Sequence, residues 1–141
     1  MFIFLKDINV QKGVNYLQKI LFVGIGGGIG AVIRYLVTIQ SSKMINSNFP
    51  LGTLIVNVVG GFLIGMIVEL SMSTELISPN LKLFLTTGIM GGLTTFSTFS
   101  LESINLISDG KYLIGMANIF LNLFLSLGGV VLARLICRIA I

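Results

Sequence analysis

Residues 86–100 gather many polar side chains inside an otherwise apolar part of the chain. The segment reads TTGIMGGLTTFSTFS and contains seven hydroxyl side chains, three glycines and two phenylalanines. A helix in which Gly91 and Gly92 are followed by Thr94 is prone to break. Inside a membrane, the freed carbonyl groups must be satisfied by protein or by an enclosed ion, and such carbonyl groups suit a small hard cation.

The side chains that follow the expected break favour an anion as the solute. Phe96 and Phe99 lie one turn apart with Thr98 beside them, and aromatic ring edges carry partial positive charge. Hydroxyl groups add hydrogen-bond donors. The acidic residues near the predicted helices, Glu102 among them, lie towards helix ends or in loops. No acid therefore stands in the middle of a predicted helix, which disfavours proton-coupled cation transport. These residues indicate a small anion without identifying it.

Two further polar stripes recur at four-residue spacing, which places their side chains on one face of a helix. One contains Asn57, and the other contains Asn118, Asn122 and Ser126. Amides in hydrocarbon are costly unless paired, and polar groups inside a membrane often line solute paths. The alternative is that these side chains only hold neighbouring helices together, as small and polar residues do in membrane bundles.

The elements that position these side chains must be membrane helices. The chain is 55% hydrophobic and only 10% charged, whereas a soluble domain is about 25% charged. Four apolar blocks reach the roughly 20 residues needed to cross a bilayer, and backbone inside lipid must be helical. The sequence therefore predicts an all-α membrane protein with a tail at 1–19 and one domain at 20–141. Its four helices are expected at about 20–40, 51–70, 81–107 and 112–137, with the third broken mid-membrane.

Composition and charge placement exclude several function classes. The sequence has no histidine and one cysteine, so neither a histidine base nor a multi-cysteine metal site is present, and we expect no enzyme. Its basic residues lie at helix ends and loops, which indicates topology control and not nucleic-acid binding. Six of them, against three including Arg34, lie on one side, which predicts both termini in the cytoplasm. Arg34 could reach the interface, hold anions at a pore mouth or pair with an acid.

Three segments resemble the Fluc (CrcB-type) family of fluoride channels. They are GGLTTFSTFS at 91–100, GTLIVNVVG at 52–60 and GGGIGAVIRY at 26–35. The ten-residue string is highly specific, and the resemblance covers about residues 20–137. It implies a multi-pass protein of the plasma membrane that lets fluoride leave the cytoplasm passively and so protects the cell.

The resemblance also implies site residues and an assembly. Phe96 and Phe99 match phenylalanines whose ring edges face the ion, and Asn57 matches a pore asparagine. Gly91 and Thr94 match positions whose carbonyl groups, one pair from each subunit, hold a structural sodium ion. Family members pair antiparallel as dual-topology dimers with two pores. Arg34 and Glu102 are then possible pore-mouth residues, and Thr98 a pore-lining residue.

Two departures from the family pattern leave questions about conduction rate and assembly. The polar track of the family's fourth helix often begins with tyrosine, whereas Asn118, Asn122 and Ser126 occupy the matching face here. The charge bias would also fit a heterodimer with an oppositely oriented paralogue, in place of a homodimer. The alternatives are a small four-helix exporter of organic cations that uses Glu102, and a non-conducting membrane assembly protein.

Overall fold

All regular structure in the described part of the chain is helical, with no strand. The computed structural model describes residues 2–44 and 49–141, and side chains for 15–43 and 49–141. The elements are α1 (Phe2–Met44), α2 (Leu51–Ser73), α3 (Pro79–Leu83), a π-helical stretch (Phe84–Met90), α4 (Gly91–Leu93), α5 (Phe96–Ser108) and α6 (Tyr112–Ala140). We call α3 to α5, with the π-helical stretch, the third segment. The all-α prediction is confirmed.

The first helix is longer than the sequence pattern indicated. It begins at Phe2, so residues 2–19, which we expected to form a tail, belong to the same helix as the apolar block. This part of the chain has no proline and only one glycine, Gly13, so no strong helix breaker separates the two. The predicted connection at 41–50 begins with helix up to Met44, and its residues 45–48 lie outside the described residues.

Three helices in the described ranges are long and apolar enough to cross a membrane. They are Asn15–Lys43, Leu51–Ser73 and Tyr112–Ala140. The third segment is divided into shorter elements, and α5 has only 13 residues. A π-helical stretch adds a residue per turn locally and often marks a functional position.

Helices α2 and α6 run parallel in one register along most of their length. Their contacting residues differ by 65 in number and recur every fourth residue, so both helices present one face to each other. The pairs are Asn57–Asn122, Gly61–Ser126, Gly65–Val130 and Glu69–Arg134. A Cβ at Gly61 would lie 2.7 Å from the Ser126 carbonyl oxygen, so glycine sets the close approach of the two backbones.

Helix α1 contacts the third segment through glycine on both sides. A Cβ at Gly26 would lie 2.8 Å from the Phe84 carbonyl oxygen and 3.0 Å from the Gly88 Cα. Gly30 and Gly92 approach the opposite backbone still more closely one turn further along. Backbone therefore lies against backbone in this contact, with no room for a side chain.

The turns are set by local residue chemistry. Ser78 caps α3 by accepting the Leu81 N–H, and Pro79 follows at the first helical position, where its missing N–H costs nothing. Between α5 and α6, Gly110 has a φ of +77°, and the Lys111 N–H donates to the Leu106 carbonyl oxygen at 2.9 Å. This left-handed glycine cap ends α5 and reverses the chain.

Candidate functional site

The third segment is interrupted at Thr94 and Thr95, which are extended between α4 and α5. Thr94 has φ −78° and ψ 157°, and Thr95 has φ −150° and ψ 119°. Thr95 caps α5, because its hydroxyl oxygen accepts the Thr98 N–H at 3.2 Å. An extended pair between helices leaves backbone groups that must find partners elsewhere.

The Asn57 side chain supplies partners for the extended backbone. Its Oδ1 accepts the Thr95 N–H at 2.8 Å, and its Nδ2 donates to the Thr95 carbonyl oxygen at 3.1 Å. One amide on α2 thus satisfies both backbone groups of a residue 38 positions away. Because both bonds require the interruption, Asn57 stabilises the broken form of the third segment over a continuous helix.

A chain of amide and hydroxyl groups extends from this clamp along α6. Asn57 Nδ2 donates to Asn122 Oδ1 at 2.9 Å, and Asn122 Nδ2 donates to Asn118 Oδ1 at 2.8 Å. Asn118 Nδ2 then donates to Ser103 Oγ at 2.9 Å, and the Ser103 hydroxyl donates to the Phe99 carbonyl oxygen at 2.8 Å. The chain connects α2, α6 and α5 through polar groups.

A cavity of about 310 Å³ lies beside this network. Its lining contains five of the predicted pore residues together with Thr94: Asn57, Phe96, Phe99, Asn122 and Ser126. The two phenylalanine rings contact edge to face, with centroids 5.5 Å apart and planes at 62°. In such a pair the positive edge of one ring meets the negative face of the other, which fixes the orientation of the two rings in the cavity wall.

Two predicted pore residues do not line the cavity. Asn118 is 0% exposed and lies inside the hydrogen-bond chain. Thr98 is exposed, and its hydroxyl oxygen accepts from the Thr95 hydroxyl at 3.0 Å. Both therefore support the interruption and its network in this chain, and neither reaches the cavity wall.

The amide N–H groups beside the cavity are already used. Asn57 Nδ2 donates to two acceptors, and Asn122 Nδ2 donates to both the carbonyl and the side-chain oxygen of Asn118. An amide has two N–H donors, so neither has one left for an ion. The Ser126 hydroxyl differs, because it is buried without a hydrogen-bond partner among the described residues. Sequence reasoning counted all three as donors, whereas of the three only the buried Ser126 hydroxyl has no hydrogen-bond partner among the described residues.

The carbonyl groups of Gly91 and Thr94 lose their helical donors at the interruption. A continuous α-helix would direct the Thr95 and Thr98 N–H groups to them. These N–H groups are instead bonded to Asn57 Oδ1 and Thr95 Oγ1. The two carbonyl oxygens on this short stretch are thus the possible metal ligands, and oxygen ligands suit a hard cation.

The two possible pore-mouth residues lie in different surroundings. Glu102 is half-buried in α5, one turn after Phe99, and accepts the Thr53 hydroxyl at 2.9 Å through Oε1. Its Oε2 is buried without a hydrogen-bond partner among the described residues. Arg34 is half-buried on α1 and lines neither of the two cavities described.

Comparison with known proteins identifies the family. A model described as "CrcB-like protein, Camphor Resistance (CrcB)" matches residues 21–134. The chain belongs to the CrcB family. The resemblance that the sequence motifs indicated is therefore confirmed, and with it a multi-pass membrane protein.

Several relatives of this CrcB-family chain carry one name, "Fluoride-specific ion channel FluC". The protein of Clostridium novyi (strain NT) is 57% identical over 119 residues, covering 84% of this chain and 93% of that protein. The protein of Clostridium perfringens (strain 13 / Type A) is 54% identical over 126 residues, covering 87% and 98%. That of Ruminiclostridium cellulolyticum is 47% identical over 120 residues, covering 85% and 92%.

Sequence reasoning about this CrcB-family chain missed two features of the site. Thr95 caps α5 at the interruption, and Ser103 belongs to the polar network. The only signal in the sequence was a hydroxyl residue at a spacing suited to helix capping. The second feature is an ion-paired cluster of Glu69, Arg134 and Arg138, which join α2 to α6. Glu69 continues the four-residue stripe that contains Asn57, and that spacing was the available signal.

Proposed function

We propose that this CrcB-family chain is a fluoride-specific ion channel of the plasma membrane, through which cytoplasmic fluoride leaves passively. One observation carries the proposal: the cavity beside the interruption is lined by two phenylalanine rings in edge-to-face contact and by Ser126, whose buried hydroxyl has no hydrogen-bond partner among the described residues. The relatives named as fluoride-specific ion channels support it. A channel passes its ion unchanged, in agreement with the expectation that the chain is not an enzyme.

The cavity suits a small anion because of what its wall offers. Phe96 and Phe99 contribute partial positive charge without a full charge that would hold the ion too tightly. Ser126 also lines the cavity, and its hydroxyl, which is buried and has no described partner, would donate to the ion after rotation of the side chain towards the cavity. Asn57 and Asn122 have no free N–H group, so their role is to hold the interruption and orient the wall. Conduction requires such weak binding, since the ion must also leave.

A second subunit completes the pore in this proposal. Phe96 is 79% exposed in the single chain, and the cavity that it lines is open to the outside. An antiparallel dual-topology dimer would cover both, as a homodimer or as a heterodimer with an oppositely oriented paralogue. C-terminal reporter fusions test this arrangement. Signal from both sides of the membrane supports a dual-topology homodimer, and signal from one side only supports the heterodimer.

A structural sodium ion at the dimer centre forms part of the same proposal. Gly91 and Thr94 of each subunit would contribute the carbonyl groups whose helical donors are redirected. The ion would neutralise the partial negative charge of these carbonyl oxygens where the two subunits meet. Replacing sodium with a larger monovalent cation during purification should shift the protein from dimer to monomer in detergent, as read by light scattering. An unchanged dimer fraction would argue against sodium.

Fluoride efflux from liposomes containing the purified protein tests the function directly. A fluoride electrode should record rapid release, and a chloride electrode should record little release from matched vesicles. Absence of fluoride release from well-inserted protein, alone and with a paralogue from the same cell, would contradict the proposal.

One observation favours a second candidate, an exporter of organic cations. The Glu102 carboxylate has a buried oxygen without a hydrogen-bond partner in the described part, as a proton-exchanging acid would require. Uptake of a lipophilic cation driven by a pH gradient, abolished by Glu102→Gln, would support this candidate. Fluoride release without cation uptake would exclude it.

A further inference from the structure

A charged cluster joins α2 and α6 at the end of their shared face. Arg134 Nε donates to Glu69 Oε2 at 2.8 Å, and Arg138 Nε donates to Glu69 Oε1 at 2.6 Å. Glu69 is only 5% exposed, whereas the arginine side chains are 42% and 58% exposed. We call these three residues the arginine cluster.

The arginine cluster carries a net charge of +1 and directs it outward. Two guanidinium groups oppose one carboxylate, and the carboxylate is the buried member. Each described bond uses Nε, so the two terminal nitrogens of each guanidinium make no described bond to Glu69. Glu69 thereby joins both arginines to the end of the helix pair.

The cluster continues the wall of the cavity. On α6 that wall runs from Asn122 through Ser126 to Val130, and Arg134 follows Val130 by four residues. One helical turn rises about 5.4 Å, and residues four apart share a face. The positive charge therefore lies about one turn beyond the cavity, on the side that leads out along α6.

We propose that the arginine cluster is an anion-collecting site at the end of the cavity, which raises the local concentration of small monovalent anions there. This inference rests on the proposed function and adds the residues through which fluoride reaches the cavity. Charged groups at a channel mouth act in this way because their field concentrates counter-ions before any contact is made. Glu69 sets the strength of the site by cancelling one of the two positive charges.

The size of the effect follows from Coulomb's law. One unit charge about 6 Å from an anion in water changes the anion's local concentration about threefold. Added salt screens this field, since the Debye length falls from about 30 Å at 0.01 M to about 3 Å at 1 M. A collecting role is therefore visible at low ionic strength and disappears at high ionic strength.

Three full-length variants, tested by fluoride efflux from liposomes, separate collection from structure. Glu69→Gln raises the net charge of the cluster to +2, and the triple variant E69Q/R134Q/R138Q lowers it to zero without stranding a buried charge. Lys82→Gln is the matched control, because Lys82 lies at the same end of the bundle and lines neither described cavity. Efflux is measured at about 0.01 M and about 1 M potassium gluconate.

The two cluster variants should change efflux in opposite directions at low ionic strength. We expect about a threefold rise for Glu69→Gln and about a threefold fall for the triple variant. Both should match the wild type at high ionic strength, and Lys82→Gln should match it throughout. Elution of each variant from a sizing column in detergent shows whether it is folded.

The contrary outcomes are distinct. If the triple variant, folded, matches the wild type at both ionic strengths, the cluster does not collect anions. If both cluster variants lose efflux equally at both ionic strengths, the cluster only holds α2 against α6. If the wild type itself releases no fluoride, the proposed function fails and not only this inference.

Discussion

Two contacts in this bundle are built from glycine, yet only one of them carries polar side chains. The contact of α1 with the third segment brings Gly26 against Gly88, backbone to backbone. The contact of α2 with α6 also uses glycine, at Gly61 and Gly65, but it begins with the amide of Asn57. We call them the α1 contact and the α2–α6 contact.

The difference separates two roles that look alike in sequence. Glycine lets helices approach, and this is sufficient to explain the α1 contact. In the α2–α6 contact, the same approach brings Asn57 within reach of both Thr95 and Asn122. In the α1 contact, close approach only packs the backbones together. In the α2–α6 contact, it also brings the polar side chains of the network within hydrogen-bond distance.

The largest effect is expected from filling the α1 contact. Gly26→Val should abolish recovery of folded protein, because its Cβ would lie 2.8 Å from the Phe84 carbonyl oxygen and 3.0 Å from the Gly88 Cα. Gly28→Val is the matched control, since nothing lies within 4 Å of a Cβ there. Yield and elution profile in detergent measure both. A folded Gly26→Val variant would show that this contact is looser than the structure indicates.

The next effect is expected from removing the amide of the α2–α6 contact. Asn57→Ala leaves the Thr95 N–H and carbonyl groups without partners, which should lower the free energy of unfolding by about 1–3 kcal/mol. Fluoride efflux should fall more than about tenfold, since the interruption is no longer held. Asn105→Ala, on an exposed part of α5, is the control. Equal efflux in the two variants would remove Asn57 from the function.

A smaller and purely functional effect is expected at Phe96. Because its side chain is 79% exposed in the single chain, Phe96→Ile should leave the fold of each subunit intact, with a change of less than about 0.5 kcal/mol in the subunit's free energy of unfolding. Loss of the ring edge should reduce fluoride efflux about tenfold, the equivalent of about 1.4 kcal/mol. Phe120→Ile, another exposed ring outside the described cavities, should leave efflux unchanged. Normal efflux in Phe96→Ile would take this ring out of the pathway.

The smallest effect is expected at Ser126. Ser126→Ala removes no described hydrogen bond, so the free energy of unfolding should change by less than about 0.5 kcal/mol. If the free hydroxyl contacts the ion, efflux should fall by about two- to fivefold, as for one neutral hydrogen bond. Ser103→Ala should behave in the opposite way, with a clear loss of stability, because its hydroxyl is used within the network. Unchanged efflux in Ser126→Ala would leave the ring edges as the main contact.

Much of the candidate site could be predicted from residues 86–100 and from the polar stripes at four-residue spacing. The extended pair lies at Thr94 and Thr95, one residue beyond the two glycines that suggested a break. The same reasoning failed to show that the amide donors of Asn122 are consumed or that Asn118 is hidden from the cavity. Spacing places side chains on a face, but it does not say which donors find acceptors there.

The sequence by itself determined the helical class, the membrane location and the family, because apolar length and the motif at 91–100 are properties of local segments. Only the tertiary structure decided which polar groups are free. A constant offset of 65 residues between α2 and α6 pairs Asn57 with Asn122 and Glu69 with Arg134. Register between distant segments is set jointly by the glycine contacts at Gly61 and Gly65 and by the polar pairs on either side of them, so no single segment contains it.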